Sequence, residues 1–191
     1  ALQNVLPRIL PSEVSYKIHP HNGKPDLLYR LPGRLKGYRK WMPADYRIVV
    51  LIDSDRQACQ ALEKKLEEVA SEAGFITKSK SKGGIFQVLN RVVMEELEAW
   101  FFGDPEALTA AYPRIPSSLF TGARYRNPDT IAGTAETLES ILEHYRYFLS
   151  GMPKIQVARS VSAYMDPKRN RSKSFQVFRK GILDMLCEEA S

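Results

Sequence analysis

Two aspartates one residue apart, Asp53 and Asp55, close the run Tyr46 to Asp55, YRIVVLIDSD. Alternate residues of an extended chain point the same way, so both carboxylates can converge on one hard cation such as Mg²⁺. Aspartate after an apolar run is also ordinary turn and helix N-cap chemistry, and the spacing alone leaves both readings open. A second acidic group, Glu95, Glu96 and Glu98, follows the next apolar run in MEELEAWFFGDPEAL. In the first turn of a helix these glutamates simply complement the macrodipole. Alternatively, Glu96 or Glu98 completes a cation site with Asp53 and Asp55, because metal-assisted phosphoryl chemistry gathers several carboxylates around one or two ions.

Cationic side chains supply the counterpart. Arg34, Lys36 and Arg39 form one cluster, and Lys168, Arg169, Arg171 and Lys173 form another just before a predicted helix. Both are candidate contacts to a phosphate backbone, the second at a Ser-rich helix start that suits an anion; a capped, solvated turn explains it equally. The net charge of +6 favours nucleic acid as a partner through counterion release, although a solvated basic surface has the same composition. His19 and His21 share a loop and read as a surface pair. Cys59 and Cys187 lack metal-ligand spacing, and the sequence has no P-loop or G-x-G-x-x-G. Neither a membrane-length apolar run nor a signal peptide is evident, which makes the cytoplasm the default location and a membrane an unexpected partner.

The elements that must position these groups follow from hydrophobic period. Ile48 to Ile52 is an uninterrupted β-branched and leucine run, predicting a parallel strand buried on both faces with Asp53 and Asp55 at its carboxyl end. Arg56 to Ala73 carries an apolar stripe at helical period and stops at Gly74. Ile85 to Met94 predicts a second buried strand, so strand, helix and strand make an α/β unit. Upstream, Leu2 to Leu10 predicts a helix and Val14 to His19 alternates as a strand. A helix begins near Asp26, is interrupted at Pro32 and Gly33, and resumes over Leu35 to Trp41. Lys78 to Gly84 predicts a basic, flexible connector. Asp104 and Pro105 read as N-cap and first-turn proline of a short helix through Ala111. After the Pro-, Ser- and Gly-rich stretch Tyr112 to Gly133, helices are predicted over Thr134 to Leu149, Lys154 to Tyr164 and the segment after Asp166. The expected organisation is an α/β domain over 1–112 and a helical extension over 113–191 packed on it.

The blocks NGKPDLL with LPGRLKGY, RIVVLIDSD, MEELEAWFFGDPEAL, and NRSKSF with VFRKGI resemble, in that order, the uncharacterised bacterial domain-of-unknown-function family four-two-seven-six. That family is similar to Toprim-fold proteins, including RloB-like and OLD-type nucleases, which are encoded beside ABC-type ATPases in phage-defence or mobile-element settings. The resemblance implies a Toprim-like, mostly parallel sheet flanked by helices, with Asp53 and Asp55 binding Mg²⁺ (or Mn²⁺) and Glu96 or Glu98 as further ligand or base. The implied activity is cleavage of DNA or RNA. A non-catalytic adaptor or nucleic-acid-binding partner of an ABC-type ATPase, docking through the aromatic MEELEAWFF segment and helical tail, is the alternative. The resemblance also implies a glutamate-bearing strand ahead of Leu2. Its absence from this sequence predicts either further residues upstream or a protein without a complete catalytic set, and a sheet lacking that strand has an open edge that favours a homo-oligomer.

Overall fold

The computed structural model describes residues 1–54, 59–82, 84–94 and 97–187. The chain is α/β and divides into two compact units, one of residues 16–94 and 180–191, the other of residues 1–15 and 95–179.

The first unit is built on strands β1 (Ile48–Ser54) and β2 (Val88–Met94), which pair in parallel with Ile48 opposite Val88 and Asp53 opposite Val93. Helices α2 (Gly23–Trp41) and α3 (Cys59–Glu72) bury one face of this pair. Leu31 and Leu35 of α2, Leu62, Leu66 and Ala70 of α3, and Val50, Ile52 and Val88 of the strands form its core. Gly74 ends α3 at φ +82°, and the Phe75 N–H turns back to the Ala70 carbonyl. That left-handed position is the reason for a glycine there.

Three expectations for this unit are corrected. Helix α2 runs through Pro32 without interruption. Losing one backbone bond costs about 3 kcal/mol, but breaking the helix would also free Leu31 and Leu35, whose burial stabilises by about 1.5–3 kcal/mol each. Val14 to His19 forms no strand. Its alternation has no apolar face to bury, Tyr16 being 44% exposed. Finally, β1 is buried on one face only: Val50 and Ile52 are 4% exposed, whereas Val49 is 41% exposed and Leu51 half-buried. The continuous run therefore does not mark a strand sandwiched on both faces, and the sheet has two strands among the described residues. On that second face Leu89 and Val93 of β2 are buried, and a Cβ at Gly181 would lie 2.8 Å from Leu89.

The second unit is helical. It holds α1 (Leu2–Val5), α4 (Glu98–Phe102), α5 (Pro105–Ala111), α6 (Thr134–His144), α7 (Lys154–Ser162) and the first turns of α8 (Lys173–Cys187). Asp104 caps α5 as its sequence predicts, its carboxylate accepting the Ala107 N–H at 3.3 Å. Trp100, Phe101 and Phe102 are 1%, 2% and 0% exposed. The Trp100 ring meets Phe175 and Phe178, each at 5.1 Å between centroids. The aromatic run therefore forms core. Residues 112–133 contain short 3-10 turns that bury Phe120, Tyr125 and Ile131. No helix among the described residues is long and apolar enough to cross a membrane.

Candidate functional site

Asp53 occupies the carboxyl end of β1, where a parallel strand delivers its last side chains to the rim of the sheet. Its side chain is exposed and makes no hydrogen bond or ion pair among the described residues. A free carboxylate at this position is the donor that a hard divalent cation takes. Asp55 and Glu96 lie outside the described residues. Glu98 opens α4, in the other compact unit, and is half-buried with a partner of its own. Among the described residues no three acidic, imidazole or thiol groups gather into a metal site. The described part of the site thus fits a cation by one ligand, Asp53.

The first cationic cluster lies on α2. Lys36, Arg39 and Lys40 are exposed; Lys36 and Lys40 are one turn apart on the outer face, while the Arg39 guanidinium lies 5.8 Å from the centre of the Phe75 ring. Arg34 is half-buried on the flank. The His19 imidazole is held below its usual value, first by desolvation and then by Arg34, Lys17 and His21. Such a succession of cations marks a positive local field.

The second cluster divides. Lys168, Arg171 and Lys173 are exposed. Arg169 is already engaged: its guanidinium donates to both oxygens of Asp104, at 2.8 and 3.1 Å, and Asp104 is wholly buried. The start of α8 also has its anion. Asp129 accepts the Lys173 N–H at 2.6 Å and the Ser172 hydroxyl at 2.8 Å, while the Ser172 oxygen accepts the Phe175 N–H at 3.1 Å. That helix start is a capped turn. Beside it Arg8, Tyr164, Asp166, Lys168 and Arg169 line an open depression of about 430 Å³. Arg8, held there by the Ala163 and Met165 carbonyls, had no sequence motif to mark it.

A polar cluster at β2 was also missed. The half-buried Glu67 carboxylate accepts from Thr77, from Ser79 and from the Asn90 side-chain amide, the last at 2.6 Å. Asn90 is 4% exposed, and its own Oδ1 has no hydrogen-bond partner among the described residues. The signal was there to be read, since Asn90 and Arg91 interrupt the apolar run VLNRVVM. Burial pushes the Glu67 carboxyl up, but the hydrogen bonds from Ser79, Thr77 and Asn90, with the charge of Lys80, together hold it below its ordinary 4.5. A depressed folded value stabilises fully above the unfolded value and less as pH falls through the folded one. Glu67→Ala is expected to lose about 2 kcal/mol at neutral pH, because Thr77 and Asn90 remain buried without their acceptor. The deficit should shrink as pH falls below the ordinary 4.5 and through the lowered folded value, where the parent also gives up its carboxylate. Urea denaturation at both pH values measures this, and a constant deficit would contradict it. The basic stretch from Lys78 is anchored as well, Lys78 pairing with Asp184 and Lys80 with Ser71 at 2.7 Å.

Fold and site together define an α/β protein with a free acidic strand end and a cationic helix face. The chain belongs to the family described as Domain of unknown function (DUF4276), whose model matches residues 1–183. No curated protein and no solved structure matches it.

Proposed function

We propose that the protein is a Toprim-like, Mg²⁺- or Mn²⁺-dependent nuclease, or the nuclease subunit of a larger assembly, acting on DNA or RNA in phage defence or a mobile element in the cytoplasm. One observation carries this reading: a free, exposed carboxylate, Asp53, at the carboxyl end of a parallel strand in a basic protein. Asp53 and Asp55 would hold the cation, with Glu96 or Glu98 as a further ligand or as the base that takes a proton from water. The cation supplies stabilisation of charge on the attacking and leaving oxygens of a phosphodiester. Arg34, Lys36 and Arg39, with the exposed Lys168, Arg171 and Lys173, hold phosphates and set the position of the strand. The test is a cleavage assay on DNA and RNA with Mg²⁺, Mn²⁺ and a chelator, comparing the parent with Asp53→Ala. Metal-dependent cleavage by the parent alone supports the reading. Equal cleavage by both proteins sinks it. Absence of cleavage together with a stably co-purifying ABC-type ATPase would favour the adaptor.

A further inference from the structure

From Arg30 to Trp41 the chain reads RLPGRLKGYRKW, with five cations and no acid. The one acid of this helix, Asp26, is engaged by Arg30 at 2.6 Å and by His21 at 3.0 Å, and the next acid along the chain, Asp45 in the turn after the helix, is exposed. Lys36 and Lys40 on the outer face therefore present charge that no acid of their own helix neutralises, and the Arg39 guanidinium lies over the Phe75 ring. Two exposed aromatic rings follow them in the chain. Trp41 is 63% exposed although tryptophan is among the costliest residues to leave in water, and Tyr46, just past the turn that follows the helix, is 52% exposed. The indole is nevertheless held. Tyr38 meets it edge-on with 5.7 Å between centroids, and Tyr38 itself packs against the core of the first unit. A braced, solvent-facing ring next to Lys40 in the chain and about 100° around the helix from it, with Lys36 one turn earlier, suits one ligand chemistry above others, a π-face attached to a phosphate. Bases inside a duplex have both faces covered by stacking, so this surface discriminates in favour of unpaired nucleotides.

We infer that the C-terminal end of α2 and the following turn form a platform for single-stranded nucleic acid, in which Trp41 stacks on a base and Lys36 and Lys40 track the backbone. The inference rests on the nucleic-acid part of the proposed function and names its substrate as unpaired strand. Tyr46 and Asp53 are separated along β1 by roughly 20 Å at the ordinary strand rise. The platform is thus a binding surface remote from the acidic strand end, and not part of it.

The test uses the full chain with a fluorescein-labelled single-stranded oligonucleotide and the duplex of the same sequence, read by anisotropy at several salt concentrations. Tryptophan emission is followed in parallel. The only other tryptophan, Trp100, is 1% exposed, so quenching on titration reports Trp41. Expected are tighter binding of the single strand than of the duplex, quenched emission, and about tenfold weaker binding by Trp41→Ala, the loss of one base–aromatic stack. Trp41→Phe should keep most of the affinity, which separates stacking from a folding defect. Lys36→Ala with Lys40→Ala should lower the salt slope by about 0.7 per lysine. Equal affinity for duplex and single strand with Trp41→Ala silent overturns the platform and leaves the nuclease standing. Quenching and Trp41 dependence without metal-dependent cleavage would support the platform while the nuclease falls. Failure of the parent to bind either strand form overturns the platform and removes the nucleic-acid reading with it.

Discussion

Gly103→Ala is expected to lose about 3 kcal/mol of stability, the upper part of the range for forcing extra volume into a packed interior. Gly103 has an ordinary helical φ of −66°, so conformational freedom is not what requires glycine here. Space is. A Cβ would stand 2.1 Å from Asn170 Oδ1 and 2.9 Å from the Ser172 nitrogen. Neither neighbour can yield cheaply. Asn170 is 3% exposed, donates to the Trp100 carbonyl at 2.7 Å and accepts the Ser172 N–H at 2.9 Å. The Gly103 carbonyl itself accepts the Arg171 N–H at 2.7 Å. A methyl group there breaks these bonds together and undoes the capped start of α8. Urea denaturation followed by Trp100 emission, in a Trp41→Phe background, measures the loss. Gly37→Ala provides the contrast. It lies inside α2 with nothing within 4 Å of a new Cβ, and should gain up to about 1 kcal/mol from helix propensity. A Gly103→Ala loss below about 1 kcal/mol would show that the loop at Asn170 adapts.

The second large effect is on activity. Asp53→Ala is expected to reduce metal-dependent cleavage to background while leaving stability within about 0.5 kcal/mol of the parent. The carboxylate is exposed and unpartnered among the described residues, so its removal strands no hydrogen bond and opens no cavity. Its neighbour in β1, Ile52, holds the strand in place by burial. Loss of cleavage with an unchanged denaturation midpoint is the signature of a residue that acts on a ligand. Asp53→Asn should behave like alanine, since the amide keeps the shape and loses the charge that a hard cation requires. If both variants lose stability in proportion to activity, the role of Asp53 is structural.

Much of this was legible in local pattern. The α3 stripe ending at Gly74, the Asp104–Pro105 helix start and both parallel strands follow from chemistry confined to a few neighbouring residues. What was not legible depended on partners far along the chain. Pro32 is tolerated because Leu31 and Leu35 have a sheet to bury against, which no window around Pro32 reveals. Val14 to His19 alternates as a strand does but finds no ladder. The basic block Lys168 to Lys173 reads as uniformly cationic, yet Arg169 belongs to Asp104 and the helix start to Asp129, at separations of 65 and 44 residues. For the acidic site, the sequence supplied Asp53 and its placement at a strand end. Asp55 and Glu96 lie outside the described residues.

The register of the sheet also bears on how the chain reaches this state. Ile48 pairs with Val88, forty positions later, and closing a loop of that length costs roughly 3 kcal/mol in chain entropy before any contact repays it. Helix α3, whose bonds are all local, can form well ahead of the sheet. Until β2 arrives, the segment YRIVVLI is an uncharged run of β-forming residues apart from Arg47, with its backbone unpaired, the composition that self-associates when chains are concentrated. Refolding yield should therefore fall as protein concentration rises, and slow synthesis or dilution should favour the native sheet over aggregates.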